Sequence, residues 1–132
     1  MGSEWRELPD GRQRLRPDGV IEMRHARATQ TLESVKLQME HVAELLQGKG
    51  KAPMMVVLNE ARGQSREARE FLVSDPSIPR YTSRVALVHS SPVSRVLATV
   101  FLRLVRPPVP VRVFSDEEEA LAWLREAGSH DK

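Results

Sequence analysis

Apolar positions along the chain keep two rhythms, and the changes between them mark out the elements. Residues 20–25, VIEMRH, alternate: Ile21, Met23 and His25 point one way, Val20, Glu22 and Arg24 the other, as in a half-buried strand. Residues 32–47, LESVKLQMEHVAELLQ, repeat every three or four positions instead. Leu32, Val35, Met39, Val42, Ala43 and Leu46 then share one helical face, and His41 falls on the polar side. Thr31 supplies a hydroxyl to cap the first turn, and Gly48 the left-handed stop. MMVVL at 54–58 and RVALVH at 84–89 do not alternate. Such runs suit strands covered on both faces, as in a parallel sheet. Between them, residues 65–74 predict a helix with Ala68, Phe71 and Leu72 inward, closed by DPSIP. Ser91 and Pro92 open another helix, which Pro107 and Pro108 stop. VPVRVF at 109–114 predicts a last strand, whose Pro110 suits an edge or a strand start. Ser115 and Glu118 form a capping box for a final helix that buries Ala120, Trp123, Leu124 and Ala127 and ends at Gly128.

Ahead of these elements, residues 1–17 hold Pro9, Gly11 and Pro17 among charges. Residues 13–16 predict a short edge strand, and Asp18-Gly19 a hairpin turn. The order is β-β-α-β-α-β-α-β-α. It predicts an α/β domain over residues 18–127, a mainly parallel five-stranded sheet with four helices and right-handed crossovers, followed by a disordered tail at 128–132.

Composition narrows the setting. A chain of 132 residues suits one domain, and 40% apolar residues are enough for one core. Without cysteine there is no disulfide framework and no thiolate metal site, which fits a cytoplasmic protein. The charged start, MGSEWRELPDGRQRLR, lacks the apolar stretch of a secretory leader. No segment approaches the roughly 20 apolar residues of a membrane span.

A net charge of +2 does not argue for nucleic acid, and aromatic residues do not interleave with basic ones. The distribution is more informative. From Pro76 to Ser115 there is no Asp or Glu, while Arg80, Arg84, Arg95, Arg103, Arg106 and Arg112 fall in that stretch; Asp116, Glu117, Glu118 and Glu119 follow at once. The alternatives are a surface whose charges even out on folding, or a basic patch for an acidic partner, an anion or a lipid headgroup.

The four histidines, His25, His41, His89 and His130, show no metal-ligand spacing, and no motif for a nucleotide, a metal or a nucleophilic serine is present. The expectation is a protein that is not an enzyme and needs no cofactor. In a parallel α/β sheet, ligands bind beyond the carboxyl ends of the strands. Three helices start there, with Ser65, Ser91 and Ser115 at the caps and Asn59, Arg62, His89 and Ser90 in the loops; Arg66 and Arg69 follow Ser65. Helix starts attract anions. Ordinary capping explains the serines equally well.

Residues 92–105 have more apolar surface than one contact requires. Val93, Val96, Leu97, Val100, Phe101 and Leu104 form the expected core face, and Ala98, Leu102 and Val105 widen it. The second stripe predicts a homodimer interface, contact with an apolar ligand, or cover by the N-terminal residues.

The segments NEARGQSREARE and SSPVSRVLATVFLRLVRPPVPVRVF and the ending FSDEEEALAWL together resemble bacterial STAS-like proteins related to anti-sigma-factor antagonists, grouped with SEC14-type domains. The resemblance covers about residues 18 to 126 and is most specific at 112–124. It implies a small α/β module without enzymatic chemistry that regulates by binding a protein partner, a kinase or another regulator, in bacterial signalling. In the antagonists a serine at the start of the second helix is phosphorylated; Ser65 holds that position, with Gln64 rather than aspartate before it. Arg66 and Arg69 would stabilise a phosphate there. The SEC14 kinship implies the alternative of a small apolar or anionic lipid-like ligand, with peripheral lipid contact.

Overall fold

A computed structural model describes residues 3–58 and 61–130. In chain order the elements are β1 (Arg6–Leu8), β2 (Gly11–Leu15), β3 (Ile21–His25), α1 (Leu32–Leu46), β4 (Ala52–Val57), α2 (Arg66–Ser74), α3 (Ser77–Tyr81), β5 (Thr82–Val88), α4 (Pro92–Leu104), β6 (Val111–Phe114) and α5 (Glu117–His130). The strands form one sheet in the order β1-β2-β3-β4-β5-β6. The first two pairings are antiparallel and the remaining three parallel.

The class and the mainly parallel sheet are as the sequence predicts; the described residues form six strands and five helices instead of five and four. The additional strand, Arg-Glu-Leu, is too short and charged to show a period, and is held by its turn into β2. The additional helix, α3, starts just after Pro76, within the DPSIP stretch read as loop; Asp75 accepts from the Ser77 amide and hydroxyl and so organises its first turn. Two helix ends also differ. Asp116, not Ser115, caps α5, its Oδ1 accepting from the Glu118 amide at 2.8 Å. α5 then passes Gly128, because a glycine stops a helix only where the chain turns left-handed, and here it stays helical to His130. The expected tail at 128–132 is therefore helix as far as His130, and Asp131 and Lys132 lie outside the described residues.

Parallel crossovers of one hand place the helices between neighbouring strands on the same face. One core layer accordingly joins α1, α3 and α4 to the sheet through Met23, Met39, Val42, Met54, Ile78 and Ala98. α5 covers the opposite face, setting Ala120, Leu121 and Leu124 against Met55, Val57 and Ala86. Trp123 leaves that core at its edge, where the Arg84 guanidinium stacks 4.4 Å from its ring and Phe114 meets it at 5.7 Å.

α5 does not extend over the N-terminal strands, and a charged lattice occupies that part of the face. Glu22, read as the polar side of a half-buried strand, is 1% exposed. Its carboxylate takes Arg24 at 2.6 Å, Arg14 at 3.0 Å and Arg16 at 3.3 Å. Burial alone would raise its pKa, but the Arg24 charge and the Arg14 hydrogen bond outweigh burial and hold it below the ordinary range. Arg24 also grips Glu117 of α5 with two hydrogen bonds, at 2.7 and 3.1 Å. Gly11 belongs to the same strand pair. A Cβ there would meet the Arg24 carbonyl oxygen at 2.1 Å, so only glycine lets β2 approach β3 this closely.

Candidate functional site

The broad apolar arc of α4 is rotated from the expected setting but not reversed: Phe101, expected as core, still packs on the core, and Leu97 stays half-buried. Ser94 and Ala98 are buried, and Leu97, Phe101, Leu102 and Val105 are half-buried, so of the three residues expected as an interface Ala98 alone is buried. Val93, Val96, Val100 and Leu104, expected as core, are 67%, 58%, 44% and 60% exposed. The first turn decides this. Ser91 and Ser94 form a reciprocal capping box, and with Ser94 fixed inward, Ala98 follows one turn later. Because its two buried residues are small, α4 does not fill the layer between itself and the sheet.

The result is a cavity of about 330 Å³ between α4 and the sheet. Met39, Met54, Val56, Leu87, Leu97 and Phe101 form its apolar walls, with Pro107 and Pro108 also in the lining. At the end nearest the carboxyl edge of the sheet the lining turns polar, with His25, Gln30, Gln38, Gln64 and Arg69. An apolar chamber with a few polar groups at one end is the usual form of a small-molecule site.

The polar end is built by the starts of α1 and α2. Gln30 and Gln64 pair as an isolated parallel bridge, with the Gln30 amide donating to Gly63 O and the Ser65 amide to Gln30 O, both at 2.9 Å. Gly63 holds φ +120 at this crossing, a conformation that other residues rarely adopt. The side chains then lock: Gln64 Nε2 donates to Gln30 Oε1 at 2.7 Å, and Gln30 Nε2 to Asp10 Oδ2 at 3.2 Å and Gln38 Oε1 at 3.3 Å. Gln38 Nε2 faces only the Met54 thioether, at 3.8 Å.

Two buried polar atoms here have no hydrogen-bond partner among the described residues: His25 Nδ1 and Asp10 Oδ1. Burial lowers the His25 pKa, against the opposing charge of Asp10, and so favours a neutral imidazole. His41, expected on the polar side of α1, is instead 4% exposed, and its Nδ1 lies 2.7 Å from Gln13 Oε1. Strands β1 and β2 extend the sheet under that side of α1. Burial, then the Arg6 charge, lowers the His41 pKa, and Glu44 opposes the change.

The remaining candidates take several places. Ser65 caps α2, accepting from the Ala68 amide at 3.1 Å, and Ser91 caps α4. Arg66 points outward and pairs with Glu70. Arg62 and Ser90 are exposed, and Asn59 lies outside the described residues. Arg69 alone of the named arginines reaches the cavity, with Nη1 donating to Gln64 O at 3.1 Å. The basic stretch divides: Arg84 and Arg112 stack on the aromatic residues beside α5, while Arg95, Arg103 and Arg106 lie on or just after α4. No helix among the described residues is long and apolar enough to cross a membrane, and no group of His, Cys, Asp or Glu among them is arranged to hold a metal ion.

Residues 15–127 match the model of a domain of unknown function, DUF7793. The chain belongs to this family. Among curated proteins no sequence matches it. A solved structure from Shewanella loihica PV-4, an uncharacterised DUF3478-family protein with a SpoIIAA-like fold, is similar over 93% of both chains, with TM-score 0.50 and 17% identity. The fold is therefore SpoIIAA-like, that is, STAS-like, as the resemblance implies. A protein of unknown function from Arthrobacter sp. FB24 is 29% identical over 90% of this chain and 95% of its own, with TM-score 0.33.

Proposed function

We propose that the protein is a non-catalytic, STAS-like binding module whose cavity takes a small, largely apolar molecule. The observation that supports this reading is the cavity itself, about 330 Å³ with apolar walls and a polar end at the carboxyl edge of the sheet. The Ser65 and Ser91 hydroxyls at that edge are engaged in capping, which favours binding over chemistry. Native mass spectrometry of the purified protein, with binding of the neutral fluorophore Nile red, tests the reading. Retained or titratable ligand in the natural protein, lost in Ala98→Leu with an unchanged circular dichroism spectrum, is the expected result. A clean apo mass with no Nile red signal would count decisively against it.

A second reading, regulation through a protein partner, is supported by the stripe Val93, Val96, Val100 and Leu104, which is more exposed apolar surface than one helix of a monomer usually carries. Val96→Asp should abolish a complex recovered by native pull-down while leaving the fold intact. A complex that persists in Val96→Asp sinks this reading.

A further inference from the structure

We propose that the ligand of this cavity is a monocarboxylate, an apolar chain or ring system ending in one carboxylate that Arg69 receives. The inference rests on the cavity-binding reading and adds the chemistry of the ligand's head. Arg69 is the only Lys, Arg, Asp or Glu lining the cavity among the described residues. It is half-buried, its hydrogen bond is to a backbone carbonyl, and no carboxylate among the described residues pairs with it. A partly desolvated guanidinium is best matched by a single planar carboxylate, which it can hold with two parallel hydrogen bonds.

The neighbouring groups have the same preference. Both N–H groups of Gln30 are engaged, by Asp10 and Gln38, and its Oε1 accepts from Gln64. Spare donors lie beside Arg69. Gln64 uses one of its two N–H groups on Gln30, and Gln38 Nε2 meets only a thioether, a weak acceptor. A head made of acceptors therefore satisfies this end of the cavity, whereas an amine or ammonium leaves Arg69, Gln38 and Gln64 facing more donors. Asp10 stands behind Gln30 and does not line the space, so any negative charge entering must be balanced by Arg69. One cation balances one charge. A phosphate monoester, with more than one charge near neutral pH, would bring an uncompensated charge into a largely apolar site.

Competition with bound Nile red tests the assignment, using decanoate, 1-decanol and decyl phosphate below their micelle concentrations. Decanoate is expected to bind at least tenfold more tightly than 1-decanol. Arg69→Gln should lower decanoate affinity by about tenfold and leave 1-decanol and Nile red unchanged, while Arg69→Lys keeps most of the preference. Equal binding of decanoate and 1-decanol, tighter binding of decyl phosphate, or an equal effect of Arg69→Gln on acid and alcohol would overturn the head-group assignment and leave the cavity reading standing. Failure of Nile red itself to bind removes the cavity reading and this inference with it.

Discussion

On one face of the sheet, α5 presses Ala120, Leu121 and Leu124 between residues of β4 and β5; on the other, α4 buries only Ser94 and Ala98 and leaves a cavity beside them. Both helices are amphipathic and both follow a strand through a short connection. The difference lies in which residues turn inward. α5 inserts two leucines, enough to fill a layer of about 10 Å between helix and sheet, whereas a serine and an alanine cannot fill it. Of the larger apolar residues of α4, Leu97 and Phe101 reach the cavity wall without filling it, and Val93 and Val96 lie on the outer face. Thus one face is a closed core, and the other is a wall whose space is available to something else.

The comparison can be broken most forcefully at Glu22, which anchors the uncovered part of the α5 face. Glu22→Gln leaves three arginines around a neutral group, and urea unfolding should show a loss of about 3–5 kcal/mol. A loss below about 1 kcal/mol would mean that the lattice is a surface network. Next, Leu124→Ala on the closed face should cost about 3 kcal/mol by opening a cavity, and Leu97→Ala, beside space that already exists, about 1 kcal/mol. Equal costs would show that the two faces are packed alike. Enlarging a helix alanine reverses the test: Ala120→Leu should destabilise by roughly 1–3 kcal/mol, but Ala98→Leu should be close to neutral because it grows into the cavity.

The gentlest test is pH, which separates the faces without mutation. His25 and His41, on the cavity side, have folded pKa values below their unfolded value of 6.5, so the unfolded chain binds the extra protons. Their contribution is complete above pH 6.5 and is lost as pH falls through the folded values. Glu22 has a folded pKa below 4.5; its contribution is complete above that pH and is lost at more acidic values. Thermal melts should first decline below pH 6.5 and decline again below pH 4.5. In a His25→Gln, His41→Gln variant only the second decline should remain.

Much of the closed face was legible from the residues. MMVVL and RVALVH declare strands covered on both sides, and Ala120 and Leu124 declare the inner face of α5, because large apolar runs have few other places to go. The orientation of α4 was not legible. Its apolar arc is wide enough to bury either way, and the deciding signal was the pair Ser91 and Ser94, whose capping box fixes the first turn. The polar end of the cavity was also hidden. Gln30, Gln38 and Gln64 carry no motif, and Gln64, 34 residues from Gln30, meets the other two only because two helix starts cross at Gln30 and Gln64. The one signal available was Gln38, which falls between Val35, Met39 and Val42 on the inner side of α1.

The strand order has a consequence for how the molecule is made. Because the strands pair in the order of the chain, the sheet can grow one hairpin or one crossover at a time during synthesis, with loop closures that stay short. The long-range closure is left to the last helix: Arg24 and Glu117 are 93 residues apart, and Asp18 and Arg125 are 107. Until that helix leaves the ribosome, Met55, Val57, Ala86 and Val88 have no cover, and the nascent chain carries an open sheet face that favours association with other chains.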